Sequence, residues 1–191
     1  MGIHELATAN RSVRRFRQKN KISEEELLHF IDSARLAPCG ANLQLLRFTP
    51  ITERKHCSRI FPALKWAGYL EDWDGPEEGE RPPAYVIIHT PNEEKRHIPV
   101  DAGIAAAYMV LAARESGYGS CMIMSFDENL IEKAAGTPEG YHPFLIIALG
   151  VPGEETILEE ADGDIRYYRD AKDRHHVPKL ALCELIVPVK D

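Results

Sequence analysis

Residues 101–116 read DAGIAAAYMVLAARES, and this stretch sets the centre of the fold. Between Asp101 and Arg114 it contains no charged side chain, so a helix formed here has no wide polar face. A helix that is apolar all round is buried on all sides, and its many small residues allow other backbones to approach closely. We therefore expect either a central core helix or a helix at a subunit interface.

The segments on either side of this helix predict an α+β domain, because several strands alternate with helices. Ser23 and Glu26 form a capping box before a helix that Pro38 closes. Pro50 lacks a backbone N–H, which confines its strand to a sheet edge or a bulge. Strands are expected at residues 48–52, 84–90, 120–125 and 144–149. Further helices are expected at residues 3–9, 24–37 and 127–135, and at residues 53–70 with an interruption near Pro62.

Two segments of the chain lack a clear helix or strand pattern. Turn residues between Leu70 and Pro83 predict a long surface loop, of the kind that often serves as a lid or a binding loop. After about residue 151 the chain becomes an acidic, irregular arm that ends in a strand-like segment from Leu185 to Val189. We expect a single domain over residues 1–191, in which the arm of about residues 151–191 packs on a partner subunit.

Composition excludes several classes of protein. The formal net charge is -7 and the pI is about 5.6, which argues against general binding of nucleic acid. No apolar run reaches the roughly 18 residues of a membrane span, and the first residues lack the pattern of a signal peptide. The cysteines are far apart, which fits reduced thiols in the cytoplasm better than disulfides or a zinc site. They are Cys39, Cys57, Cys121 and Cys183.

Residues 11–16, RSVRRF, concentrate positive charge in this acidic chain. Arg presents a fork of donors that matches a phosphate, and the Ser12 hydroxyl between Arg11 and Arg14 can donate to phosphate oxygens. The alternatives are a solvated charged loop and a nucleic-acid contact, of which the second would make binding sensitive to salt. The segment is a candidate anion site.

A second segment, residues 38–44 with the sequence PCGANLQ, follows the capped helix directly. Three further patterns lie in order along the chain: Asp101-x-Gly103 with Gly117-x-Gly119-x-Cys121, Ser125-Phe126-Asp127 before Ala135-Gly136, and HHVPK at residues 175–179. Each pattern alone is weak. Together, over residues 10–180, they resemble the nitroreductase family of FMN-dependent oxidoreductases.

The resemblance implies a central, mostly antiparallel sheet flanked by helices, with the C-terminal arm exchanged across a homodimer. It also implies FMN as the cofactor. By the same resemblance, Arg11, Ser12 and Lys179 bind the phosphate, and Arg14 approaches the ribityl chain or the N1–O2 edge of the flavin. The loop that packs on the ring from the other subunit supplies Pro38, Cys39, Gly40, Asn42 and Gln44. The amide of Met124 donates to flavin N5, with Ile123 and Ser125 beside it.

The implied function is reduction of nitroaromatic, quinone or related conjugated acceptors with NAD(P)H, in a ping-pong cycle through flavin N5. The flavin carries the chemistry, so no catalytic side chain is required, and no metal site is expected. Departures from the family pattern at Asn10, Cys39, Leu45 and Leu46 leave substrate preference open. Two alternatives remain: a specialised flavin reaction such as reductive dehalogenation or ring oxidation, and a flavin-binding protein without turnover.

Several other residues have reactive or aromatic side chains. Cys39 is either a reactive thiol or a small packing residue beside the flavin. Trp66, Tyr69 and Trp73 either stack on a substrate or cover the core beneath the long loop. Tyr167 and Tyr168 are expected to anchor the arm by burying their rings.

Overall fold

A computed structural model describes residues 1–93 and 95–189 and contains one central four-stranded sheet. Its strand order is β1-β2-β4-β3, and each neighbouring pair is antiparallel. The strands are β1 (Arg47–Ile51), β2 (Ala84–Pro91), β3 (Gly119–Ile123) and β4 (Tyr141–Gly150). The flanking helices are α1 (Ile3–Ala9), α2 (Glu24–Arg35), α3 (Arg54–Ile60), α4 (Ile98–Glu115) and α5 (Glu128–Ala135). The predicted α+β fold with an antiparallel sheet flanked by helices is confirmed.

The sheet separates two hydrophobic layers, because side chains alternate between its faces. On one face, Val86 and Ile147 pack with Met109 of α4 and with residues of α2. On the other face, Tyr85 and Ile146 pack with residues of α3 and α5. The two central strands, β2 and β4, are therefore buried on both sides.

The local signals for α2 and β1 act as the sequence predicts. The Ser23 hydroxyl accepts from the Glu26 N–H at 3.1 Å, and the Glu26 carboxylate accepts from the Ser23 N–H at 2.9 Å. Pro50 lies in β1, which pairs only with β2 and is an edge of the sheet. A proline is tolerated there because its missing N–H can face away from the ladder.

Helix α4 is buried along one side only. Ala102, Ala106 and Met109 are fully buried, whereas the Val100 and Tyr108 side chains are 58% and 44% exposed. The expectation of burial on all sides is wrong for a single chain, because the sheet and α2 cover one side of the helix. A helix at a subunit interface would expose an apolar side in this way when its chain is alone.

The segment from residue 53 to 70 has the predicted interruption near Pro62, but no helix follows it. Helix α3 ends at Ile60 and a 3₁₀ turn occupies Phe61–Ala63. Pro62 cannot continue the hydrogen-bond ladder of the helix. Leu64 is extended and forms an isolated antiparallel bridge with Phe126, so the helix does not resume after the turn.

The arm is more ordered than the sequence predicts. It forms a three-stranded sheet of order β5-β7-β6, with β5 (Thr156–Glu160), β6 (Tyr168–Arg169) and β7 (His175–Lys179). The strand predicted from Leu185 to Val189 is wrong: α6 (Leu182–Leu185) is followed by exposed chain without regular structure as far as Val189. No neighbouring strand is present there to pair with it among the described residues. The packing of the arm on a partner subunit stays a prediction.

Candidate functional site

The basic segment runs along the outer edge of β3. Ser12 forms a parallel bridge with Ser120, and the Val13 N–H donates to the Ser120 carbonyl at 2.8 Å. Gly119 permits this approach, because a Cβ atom there would lie 2.7 Å from Cγ2 of Val13. The edge of the sheet thus holds Arg11, Ser12 and Arg14 in fixed positions.

Arg14 is covered by the arm of the same chain. Its guanidinium Nη1 lies 2.8 Å from Nε2 of His175, and its Cζ lies 4.4 Å from the centroid of the Tyr167 ring. The Arg14 residue is only 9% exposed. Because the Tyr167 face is electron-rich, it stabilises the buried guanidinium by a cation–π contact.

His175 is neutral in this environment. Burial, followed by repulsion from Arg14, lowers the pKa of His175 to about 4. A neutral imidazole can accept a hydrogen bond through one ring nitrogen, which allows Nε2 to accept from Arg14. The other nitrogen, Nδ1, is buried and has no hydrogen-bond partner among the described residues.

Arg11 and Ser12 remain the most available donors of the basic segment. The Arg11 guanidinium donates to the carbonyl of Ala7 through Nη2, while its buried Nε has no partner within the described part of the chain. Partial burial lowers the pKa of Arg11, although a guanidinium stays charged at any physiological pH. Ser12 is exposed. These two side chains form the arrangement of cation and hydroxyl that a phosphate requires.

The second segment, residues 38–44, is held at the other end of α4. The Gly40 N–H donates to Oδ1 of the buried Asp101 at 2.9 Å. Three residues that are not glycine have positive φ in this loop: Ala41 at 49°, Asn42 at 54° and Gln44 at 52°. Such conformations cost energy and concentrate at sites of function.

The two segments lie far apart within one chain. The basic segment pairs with Ser120, shortly after the C-terminal end of α4, whereas Gly40 contacts Asp101 near its N-terminal end. Helix α4 has 18 residues, so its length is about 27 Å. A single chain therefore brings Arg11, Ser12 and Arg14 together but leaves the loop from Pro38 to Gln44 away from them.

The remaining candidate residues are on β3 and β7. Ile123 is buried at the end of β3, while Met124 and Ser125 are exposed just beyond it. Lys179 is exposed at the end of β7, in register with Glu160, four residues beyond the His175 that contacts Arg14. The arm contacts the basic segment through Glu154, Asp173 and His175.

Glu154 is a site residue that the sequence does not reveal. Its carboxylate accepts from the backbone N–H of Arg15 at 3.0 Å and from that of Arg14, and it forms an ion pair with Arg169 at 2.6 Å. Its side chain is only 2% exposed. An acidic arm gives no indication of which of its carboxylates becomes buried, so no sequence signal distinguished Glu154 from Glu155.

The aromatic residues divide between core and arm. Trp66 is buried and packs edge-on to Trp73, which supports their covering role. Tyr69 is exposed and its ring lies 4.9 Å from that of Tyr167. Tyr168 is 44% exposed and stacks on His176, so the expected burial of its ring is wrong.

A model of the Nitroreductase family matches residues 7–151 of this chain. The YdgI protein of Bacillus subtilis (strain 168), provisionally named an NAD(P)H nitroreductase, is 25% identical over 185 residues, covering 79% of this chain and 88% of that protein. An iodotyrosine deiodinase of Thermotoga neapolitana is 26% identical over 167 residues, which covers 80% of this chain and 89% of that protein. The solved structure of an FMN-dependent nitroreductase from Clostridium difficile R20291 superposes with a TM-score of 0.66 at 23% identity, covering 85% of this chain and 92% of that one. No helix among the described residues is both long and apolar enough to cross a membrane.

Proposed function

Because the chain belongs to the nitroreductase family, we propose that it is an FMN-dependent oxidoreductase that uses NAD(P)H to reduce a nitroaromatic, quinone or related conjugated acceptor. The observation that carries this proposal is the basic segment fixed along the edge of β3, with Arg11 and Ser12 available to an anion. Its operation in the cytoplasm is part of the proposal.

The donors of this segment fit the phosphate end of FMN. Arg11 has a buried Nε without a partner within the described residues, and Ser12 presents an exposed hydroxyl. We propose that these two groups hold the phosphate, together with Lys179 of the arm. FMN, when bound, supplies the hydride and electron-transfer chemistry.

Arg14 would provide a fixed positive charge next to the ribityl chain or the pyrimidine edge of the ring. Its guanidinium has five donors, and the contact with His175 uses one of its nitrogens. A cation held there by Tyr167 and His175 stabilises negative charge that develops nearby, because it needs no reorganisation.

The rest of the site would come from a second copy of the chain. The loop from Pro38 to Gln44 lies about the length of α4 away from the basic segment, so it can face the flavin only across a subunit interface. A two-fold pairing along the exposed side of α4 would place the loop of one subunit near Arg11 of the other, since such interfaces are self-complementary. Pro38, Cys39, Gly40, Asn42 and Gln44 would then pack on the ring, opposite Ile123, Met124 and Ser125.

Reductive dehalogenation of a halogenated aromatic is the second candidate. The observation that favours it is the similarity to the Thermotoga neapolitana protein named iodotyrosine deiodinase, at 26% identity over 80% of this chain. Steady-state rates with a nitroaromatic, a quinone and an iodinated phenol would separate the two candidates, because a dehalogenase releases iodide with every turnover.

The decisive experiment is an absorbance spectrum of the purified protein with FMN, followed by anaerobic titration with NADH and with NADPH. We expect a yellow complex whose flavin bleaches with at least one nicotinamide.

Arg11→Gln should weaken FMN binding about tenfold or more, since one charge-assisted contact is lost. Arg17 is an exposed cation just after the basic segment, so Arg17→Gln is the matched control and should bind FMN as tightly as the natural chain. If the protein binds no FMN, the proposal is excluded. If it binds FMN but neither NADH nor NADPH reduces the flavin, the protein is a flavin-binding protein without turnover.

A further inference from the structure

A cavity of about 430 Å³ lies on the α3 side of the sheet. Its wall is formed by the chain that follows the basic segment, by α3 and by the end of the long loop before β2. None of the residues proposed to contact the flavin lines it. Its volume is within the range of about 300–1,000 Å³ that is typical of small-molecule sites.

Positive charge dominates the wall of this cavity. Its cationic residues are Lys19, Lys21, Arg54 and Arg81, and Glu78 is the single carboxylate among the described residues that line it. Glu78 forms ion pairs with Arg54 at 3.0 Å and with Arg81 at 3.1 Å. One carboxylate facing four cations leaves an excess of positive charge, in a chain whose net charge is -7.

The wall also contains a buried hydroxyl without a partner. Tyr85 of β2 is fully buried and lines the cavity, yet its hydroxyl makes no hydrogen bond with the described residues. Nε of Arg81, another lining residue, is likewise buried without a partner among the described residues. Burial raises the pKa of Tyr85, so the hydroxyl keeps its proton and remains a donor. Two donors beside one cavity are therefore free to bind an acceptor that enters it.

The rest of the wall is apolar. Phe61, Pro82 and Pro83 line the cavity, and the Arg81 guanidinium lies over the Phe61 ring at 4.2 Å from its centroid. The Cys57 thiol donates to the Pro83 carbonyl, and burial raises its pKa to about 11, so it is not a nucleophile here. The wall therefore suits a ligand with an apolar body and a negatively charged end.

We propose that this cavity binds a small organic carboxylate, whose oxygens accept from the Tyr85 hydroxyl and from Arg81 while its apolar body packs on Phe61 and the two prolines. The site is separate from the flavin-binding residues and does not depend on the proposed redox activity. A carboxylate on a saturated ring is the most selective probe. Its ring packs against the apolar wall, but it does not stack on a flavin as a planar electron acceptor does.

The test is a titration by ligand-observed NMR of the full-length protein, with and without FMN, using cyclohexanecarboxylate and its neutral analogue cyclohexanecarboxamide. We expect saturable binding of the carboxylate in both states and about tenfold weaker binding of the carboxamide. Tyr85→Phe and Arg81→Gln should each weaken the carboxylate about tenfold. Arg59→Gln, an exposed cation on α3 outside the cavity wall, is the control and should bind like the natural chain.

Tyr85→Phe keeps the ring and removes only an unsatisfied hydroxyl, so the variant should fold at least as well as the natural chain. The proposal is overturned if the natural chain shows no saturable binding, if FMN displaces the carboxylate, or if Tyr85→Phe and Arg81→Gln bind it unchanged. Failure of FMN to bind would leave this result untouched, which separates the site from the proposed flavin function.

Discussion

Asp101, in the first turn of α4, holds the loop of residues 38–44 through one hydrogen bond, from the Gly40 N–H to its Oδ1 at 2.9 Å. Asp101 is 6% exposed, and a hydrogen bond to a buried charged group contributes about 1.5–3 kcal/mol. The loop carries three residues with positive φ and does not form a helix turn of its own beyond Gly40–Asn42. This hydrogen bond therefore ties a strained loop to the first turn of α4.

Loss of this contact should weaken flavin binding, on the proposal that the loop packs on FMN. Asp101→Ala is expected to raise the Kd for FMN about tenfold, since the loop is no longer positioned. Asp101→Asn keeps an oxygen that can accept from the Gly40 N–H and should lie close to the natural value. Fluorescence quenching of FMN measures both, and an Asp101→Ala variant with unchanged affinity would refute a positioning role.

Gly40 should not tolerate a side chain. A Cβ atom there would lie 2.9 Å from Cδ2 and 3.1 Å from Cβ of His97, so either the loop or the histidine must move. Gly40→Ala is expected to destabilise the protein by about 1–3 kcal/mol, the range for overpacking. The combination with His97→Ala removes the ring atoms at 2.9 and 3.0 Å but keeps Cβ at 3.1 Å, so it should recover part of that loss in urea unfolding. If the double variant were no more stable than Gly40→Ala, the clash would not be the cause.

Much of the fold is predictable from local signals. The capping box of Ser23 and Glu26 marks the start of α2, and Pro50 marks an edge strand, because both effects depend only on neighbouring residues. The residues of the candidate site likewise come from short motifs: Arg11, Ser12 and Arg14 lie together along the edge of β3, and their contact with a phosphate stays a prediction.

The arm could not be predicted in the same way. Its strands β5 and β7 pair in parallel although about fifteen residues separate them, and such a pairing leaves no local pattern. The apolar run from Leu185 to Val189 resembles a strand by composition, but a strand needs a neighbour, and none of the described strands pairs with it. The burial of Glu154 depends on the same long-range packing.

Glu154 should be essential for docking of the arm on the basic segment. Glu154→Gln removes the charge that is paired with Arg169 and weakens acceptance from the backbone of Arg14 and Arg15. Because Arg169 keeps its ion pair with Asp173 at 3.3 Å, the cost should lie below the roughly 3–5 kcal/mol of a buried charge that loses its only partner. We expect faster hydrogen exchange of the Arg14 and Arg15 amides. Glu155→Gln, the exposed neighbour, is the control, and equal exchange in the two variants would contradict this role.

His175 should make the protein sensitive to acid. Its pKa is lowered from 6.5 to about 4 by burial and by Arg14, so the unfolded chain binds a proton that the folded chain does not. Stability therefore falls as the pH falls from about 6.5 towards 4, by at most about 3 kcal/mol at about 1.4 kcal/mol per pKa unit. Urea unfolding across this range should show a shallower slope for His175→Gln. An identical slope would exclude His175 as the cause.

The adjacent histidine should act in the opposite direction. The carboxylates of Glu159 and Asp170 lie 2.8 Å and 3.3 Å from the His176 ring nitrogens and raise its pKa above 6.5, with the Glu159 hydrogen bond as the larger cause. The stabilisation is then fully present below about pH 6.5 and is lost as the pH rises through the raised pKa. Proteolysis within the arm should accelerate over that rise in the natural chain. In His176→Gln the rate should already be high at pH 6 and should not depend on pH, because no proton is lost; a pH-dependent rate in this variant would assign the effect to another group.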